Sequence, residues 1–484
     1  AADLARVLPR LPRARAGARA GPWTAGRARR GGRARADHRE APGRQRAAAR
    51  GARAGAGAVE PARARPGRGA VRRLLARRGF RSLLIGQGVS AFGDWMVTVA
   101  LMVLVLDLTG SSTAVGGMLV LRLMPAMVAG PLATRLVHRW RRRRTMLAAD
   151  LARAVVVLLI PLVGAAWWVY LWAFVLEVLG LVFLPARDAS VPDLAGEEDL
   201  PLANGLVLAS SYGTIPLGAA AFGGLAALQR RVFEGGFLGS RPYLLVFAVD
   251  AATFLVSYAF VRRLRELDEP PVRAATPGWT APTGGRFRDA LRLPLVRRIV
   301  APVTAVALGV GTLFSVGIVF VREVLGASDT ELGALIVLFG LGALAGLGLH
   351  RLLGAGLATV RLTLSAQGAT IAVMALAPAL AFAYLGAAAF GLFTSATLVG
   401  GMSLLQSRLS GEPLASAFAV FHVLIRAGLS LAALGAGVAV DLAAAVRLPL
   451  LGRLGPARLV LLSAGALVVA SASAVRLPAP EGAR

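Results

Sequence analysis

From residue 80 onward the 484-residue chain consists of twelve apolar runs separated by short polar or arginine-bearing stretches. They cover about 82–106, 112–134, 145–164, 167–187, 203–228 and 242–262, then 297–321, 331–353, 357–378, 379–405, 413–438 and 456–475. At 1.5 Å per residue, each is long enough to cross roughly 30 Å of hydrocarbon as a helix. Lipid offers no partner for a bare peptide group, so runs of this length are predicted to be transmembrane helices. A mean hydropathy of +0.66 with only 16% charged residues excludes an ordinary water-facing surface. The expected class is an all-α, multi-pass membrane protein whose main partner is the lipid bilayer.

The arginines say which side of the membrane each connection faces. The loops after the first and third spans carry none, whereas the loop after the second, "PLATRLVHRWRRRRTML", holds six arginines and a histidine within residues 135–144. A further nine arginines fall in 262–298. Positive charge collects on the cytoplasmic side, so both termini are expected inside, in the plasma or inner membrane. Arg230, Arg231 and Arg241 fall on the opposite side and run against the rule. Six spans on each side of a central cytoplasmic loop match a common transporter plan, two pseudo-symmetric bundles. The predicted division is 1–75 as a basic tail, 76–263 as an N-terminal six-helix bundle, 264–296 as the central loop, 297–476 as a C-terminal six-helix bundle and 477–484 as a cytoplasmic tail.

The net charge of +29 is unevenly spread. Residues 1–70 contain 18 arginines and 4 acidic residues, close to half of the excess, in an Arg/Ala/Gly-rich stretch without apolar periodicity. Such a stretch cannot bury enough surface to fold and is expected to be disordered. The first methionine is Met96, inside the first apolar run, and Val71 is a candidate GTG start; on that reading the tail is a start-site artefact. A nucleic-acid partner would rest on this tail alone and is not expected. There is no lysine and no cysteine, and the four histidines are scattered, so neither disulfides nor a metal site is expected.

Several stretches together resemble the major facilitator superfamily, in particular its bacterial drug and siderophore exporters of the macrolide-efflux and enterobactin-exporter types. They are "FRSLLIGQGVSAFGDWMVTVALMVLVLDLTGSSTAVG", "PARDASVPDLAGEEDLPLANGLVLASSYG", "FAVDAATFLVSYAFVRRL" and "FVREVLGASDTELGALIVLFGLGALAG", and the likeness runs over about residues 77–476. The resemblance implies that the first, fourth, seventh and tenth spans line a central cavity. It also gives the arginine loop a counterpart, a gate motif usually written Gly-x-x-x-Asp-Arg-x-Gly-Arg-Arg. Arg139, Arg142 and Arg143 match it, while Thr134 stands for the first Gly, His138 for the Asp and Arg141 for the second Gly. A neutral histidine supplies no negative charge, so that lock is expected to be weakened, replaced or pH-sensitive. The antiporter signature of the fifth span keeps Gly223 and Gly224 but reads Ala219-Ala220 where Gly-Pro belongs.

Ionisable groups at membrane depth are costly and mark candidate sites. Asp94 lies about 20 Å, and Arg122 about 18 Å, from the cytoplasmic ends of the first two spans. This match in depth predicts an Asp94–Arg122 ion pair. Glu177 and Arg153 sit at a similar level in the fourth and third spans and form a second candidate pair. Asp94 and Glu177 are the acids expected to meet protons or substrate. Asp150 and Asp250, in spans expected on the bundle exterior, are expected to make helix-end or inter-helix hydrogen bonds in a structural role. His422 and Arg426, one turn apart, are candidates for a gate or substrate contact. Trp95, Trp167, Trp168 and Trp172 suit interfacial or lipid-facing positions, and Tyr212, Phe314, Phe390 and Phe393 are candidates to line an apolar cavity.

The expected function is secondary active transport by a monomer, with proton-coupled export of a hydrophobic or amphipathic small molecule such as a drug, antibiotic or siderophore-like compound. An importer or lipid flippase on the same scaffold, or a degenerate non-transporting receptor, stays open at this point. No phosphate-binding glycine loop, metal cluster or nucleophile triad points to an enzyme, an ATP-driven pump or a cofactor.

Overall fold

The computed structural model describes residues 68–123, 141–268 without 197 and 234, 291–446 without 355 and 410, 454–473, and 475. All regular structure among these residues is helical. A short α1 (Arg68–Ala76) leads into α2 (Arg78–Thr109), α3 (Ser112–Leu123), α4 (Arg142–Leu159), α5 (Ala166–Ala195), α6 (Leu200–Tyr212), α7 (Ile215–Val232) and α8 (Leu244–Val261). After the central segment come α9 (Pro294–Thr312), α10 (Asp329–Leu353), α11 (Leu357–Ala375), α12 (Leu380–Arg408), α13 (Gly411–Val446) and α14 (Pro456–Ser473). The chain is therefore already helical at Arg68, inside the stretch expected to be a tail. Residues 1–67, 269–290 and 476–484 lie outside the described residues.

Eleven helical stretches are long and apolar enough to cross a membrane, counting α6 and α7 as one span, and α3 is the described part of the twelfth run. The architecture is the all-helical, twelve-span fold expected from the apolar runs. Its breaks sit where the sequence removes a backbone donor. Pro216 enters the first turn of α7 just after Gly213 and Thr214, splitting the fifth span into α6 and α7. The Trp95 indole N–H donates to the Ser211 carbonyl beside that break, at 2.8 Å. Trp95 thus serves a tertiary bond, and its expected lipid-facing or interfacial place does not apply. Pro161 lies in the 3-10 turn Ile160–Leu162 that closes α4. Pro302 lies within α9, which continues beyond Thr312 in two π-helical turns, Leu313–Gly317 and Phe320–Val324.

In the first half α8 packs on α2 and α4, α4 on α5, and α2 on α7. In the second half α10 packs on α12, α11 on α12 and α14, and α9 on α13. With no hydrophobic drive between helices in lipid, close approach depends on small residues. Gly342 and Gly346 of α10 lie directly on the Ala388 and Leu392 carbonyls of α12, and Gly391 of α12 lies on the Phe339 carbonyl.

The two halves meet along two seams. One joins α7 to α10. There Gly223 rests on Asp329 and Thr330, and Gly333 rests on the Ala219 carbonyl. The other joins α3 to α13, where Gly116 faces the Ala433 carbonyl and Gly437 faces Ser112. Around these seams one apolar core runs through both halves, including Met96–Leu106, Phe222, Phe247, Phe320, Leu332 and Leu461. Toward the arginine-rich end it divides. Phe80, Met146, Phe183 and Val191 form one cluster in the first half, and Val296, Leu404, Leu405 and Phe421 form another in the second. Apolar packing is thus shared between the halves at one end and separate at the other.

Candidate functional site

Four charged side chains of the first four spans gather at mid-depth. Arg153 of α4 lies 3.9 Å from the Asp94 carboxylate of α2, and Arg122 of α3 lies 3.9 Å from Glu177 of α5. The pairs are exchanged relative to those expected from depth, where Asp94 was matched to Arg122 and Glu177 to Arg153. Depth along a helix fixes height but not azimuth. Each residue turns the side chain by 100°, and here the turn directs Arg153 toward α2.

The two arginines are held differently. Arg153 is 6% exposed and donates to Asp150, which is itself fully buried, at 2.5 Å. The second Asp150 oxygen accepts from Ser257 of α8 at 2.8 Å. The rings of Phe183 and Phe254 lie 4.5 and 4.3 Å from the guanidinium carbon. This is a fixed anchor: a paired charge, hydrogen-bonded and stacked on aromatic faces. Asp94, at 33% exposure, and Glu177, at 23%, each lie 3.9 Å from an arginine, and each also feels the charge of the other arginine at longer range. The 3.9 Å separation keeps the charges attracted but is too long for a hydrogen bond. The site is a buried, hydrogen-bonded cation with two partly exposed carboxylates nearby, one of them at 3.9 Å from it.

The remaining candidate residues fall around this cluster. Asp250 of α8 is fully buried, bonds to Thr253, and presses one oxygen against Gly93, the residue before Asp94. A Cβ at Gly93 would occupy that oxygen's place. Arg426 of α13 acts electrostatically on Glu177 and so links the second half to the cluster. His422 is exposed, bonds through Nδ1 to the Phe418 carbonyl at 2.8 Å, and stands against the rings of Phe418 and Phe421. Phe390 is 2% exposed and stacks on Phe339, so it belongs to the core and does not line a cavity. Gly223 forms part of the α7–α10 seam, whereas Gly224 faces open space.

Of the arginine-loop motif, Thr134, His138 and Arg139 lie outside the described residues. Arg142 bonds to the Ala189 carbonyl and to Asp193 near the end of α5, and Arg143 pairs with Asp268 and the Arg262 carbonyl. These bonds join elements of the first half.

Charged residues absent from the expected set occupy the other end. Asp329, 2% exposed in the first turn of α10, is held by both Arg230 and Arg322. Arg322 also reaches Asp107 at 3.0 Å, and Asp107 accepts from the Tyr243 hydroxyl at 2.7 Å. The signal that could have found them was Arg230, an arginine on the wrong side for the charge rule.

The Major Facilitator Superfamily model matches residues 83–433. The chain belongs to that superfamily. Among curated relatives from Bacillus subtilis (strain 168), the putative bacilysin exporter BacE is 31% identical over 186 residues, 38% of this chain and 43% of BacE. The uncharacterised MFS-type transporter YjbB is 25% identical over 280 residues, 56% of this chain and 65% of YjbB. The chain thus spans less than two thirds of either relative. Two solved structures share the fold. One is a bacterial homologue of the human lysosomal transporter Spinster in an inward-facing, unoccupied conformation (TM-score 0.64, 17% identity, covering 82% of this chain and 94% of that one). The other is the nucleoside transporter NupG (TM-score 0.63, 12% identity, 82% and 98%). Major facilitator proteins are transporters rather than enzymes.

Proposed function

We propose that this major facilitator protein is a monomeric, proton-coupled exporter of a hydrophobic or amphipathic small molecule, working by alternating access in the cell membrane. The observation that carries the reading is the contrast at mid-depth between anchored Arg153 and the loosely paired, partly exposed Asp94 and Glu177. A carboxylate 3.9 Å from its arginine can take up a proton and release that partner, and the charge change alters how the two halves pack. The arginine-rich end is taken as cytoplasmic by the charge rule, with both termini inside. In this state the halves pack separately at that end, which is then the side from which cargo for export enters. Residues 76–263 and 297–476 act as the two rocking bundles, joined by 264–296. The name of BacE, a putative bacilysin exporter, supports export over import. Asp150 and Asp250 hold the cluster's geometry, Arg426 acts on it from the second half, His422 on the same helix serves as a gate or substrate contact, and the loop from Thr134 to Arg143 gates the cytoplasmic end.

The test is transport in proteoliposomes with an imposed pH gradient, using a lipophilic cationic dye and a neutral amphipathic dye in both protein orientations. Proton-driven movement toward the outer face, abolished in Asp94→Asn and Glu177→Gln, is the expected result. Gradient-driven transport unchanged in both variants would remove these acids from the mechanism. Movement only toward the cytoplasmic face would make the protein an importer.

A further inference from the structure

The end opposite the arginine-rich one is closed by two separate polar devices, one on each seam. On the α7–α10 seam, the two oxygens of Asp329 are taken by different arginines, Oδ2 by Arg230 at the end of α7 and Oδ1 by Arg322 beyond α9. Arg322 crosses back to Asp107 at the end of α2, and Asp107 receives the hydroxyl of Tyr243 at the start of α8. Charges alternate along this chain, which crosses between the halves twice and is neutral overall. Arg230 is more than half exposed while Asp329 is 2% exposed, so the carboxylate is the covered, committed member.

On the α3–α13 seam, Asp441 of the second half caps a helix of the first. Its oxygens accept from the Ser111 hydroxyl at 2.7 Å and from the Ser112 and Thr113 N–H groups at 3.1 and 2.9 Å. The first N–H groups of a helix have no partner within it, and a carboxylate there also meets the positive end of the helix dipole. Such caps normally come from the neighbouring chain; this one comes from 328 residues away, across the interface that has to part. At the arginine-rich end the described ion pairs, Arg142–Asp193, Arg143–Asp268 and Arg77–Asp199, stay within the first half or join it to the start of the central segment. Among the described residues, polar bonds between the halves are therefore concentrated at one end.

We propose that Asp329 and Asp441 are the latch residues of that end, each closing one seam, and that both release when it opens. Separation transfers the three N–H and O–H donors around Asp441 to water and leaves Arg230 facing solvent. Asp329 keeps Arg322 within its own half and is not stranded. Loss of either latch favours the state open at this end. The inference rests on the alternating-access reading. Its test needs no substrate and no proton gradient, so its failure is separable from failure of the exporter reading.

The chain has no cysteine, which allows single-cysteine probes in the otherwise intact protein. Ala226→Cys lies 2% exposed on the face of α7 that carries Gly223 and Arg230, and Ala433→Cys is fully buried on the α3–α13 seam. His422→Cys, on the arginine-rich half of α13, reports the other end. Labelling rates with a membrane-impermeant maleimide are compared in nanodiscs for the native background, Asp329→Asn and Asp441→Asn. Loss of a cap or a buried ion pair predicts labelling about tenfold faster at the matching seam probe, with slower labelling at His422→Cys. The fall at one end alongside a rise at the other distinguishes gating from loosening of the whole fold. Seam labelling that stays unchanged, or rises without the reciprocal fall, would overturn the proposal.

Discussion

Removing the Arg153 side chain should harm the protein mainly through what it strands. Arg153 is 6% exposed, bonds to a fully buried Asp150 and lies between the rings of Phe183 and Phe254. In Arg153→Gln the Asp150 carboxylate keeps only the Ser257 hydroxyl as a strong donor. Breaking a buried ion pair from one side costs about 3–5 kcal/mol. The two ring contacts add about 0.5–2 kcal/mol each when desolvated. Replacing Asp150 as well, in Arg153→Gln/Asp150→Asn, removes the stranded charge while keeping nearly the same volume. The double variant should therefore recover about 2 kcal/mol or more relative to Arg153→Gln. Thermal unfolding in nanodiscs, followed by tryptophan fluorescence, orders the three proteins. The expected order of Tm is native, then double variant, then Arg153→Gln. A double variant no more stable than Arg153→Gln would refute the anchor, because it would show that Asp150 never depended on Arg153.

Four further substitutions test helix packing and capping by the same melts. Gly342→Ala places a methyl on the Ala388 backbone carbonyl, which cannot turn aside, and should cost about 1–3 kcal/mol. Gly348→Ala on the same helix meets open space and should stay within about 0.5 kcal/mol of the native protein. Ser328 caps α10 in a reciprocal box with Glu331, so Ser328→Ala should cost about 1 kcal/mol and Ser328→Asp much less.

The span count was legible because hydrocarbon thickness acts on every span alike, and a run of apolar residues carries that constraint in the chain itself. Span interiors were less legible. The fifth span reads as one apolar run, yet Gly213, Thr214 and Pro216 divide it, and Trp95 fills the break from another helix. Among the membrane charges, all four residues of the cluster were visible as ionisable groups at matching depth. Their partners were not, because pairing depends on helix azimuth and on which neighbours surround the first span. Asp150 lies three residues before Arg153, a spacing that allowed their bond to be foreseen. Asp329 and Asp441 were harder to find, since their partners across the interface lie about 100 or more positions away. The exception to the charge rule at Arg230 was the one local trace of that network. There Arg230 pairs with Asp329 of the other half.

The proposed function requires that water reach the partly exposed Asp94 and Glu177 from the arginine-rich side, which the charge rule makes cytoplasmic. Asp94→Cys and Glu177→Cys, each introduced alone into this cysteine-free chain, can be exposed to an impermeant maleimide in inside-out and right-side-out vesicles. The account predicts labelling of both in inside-out vesicles and protection of both in right-side-out vesicles. Labelling only from the outer face, or from neither face, would contradict it.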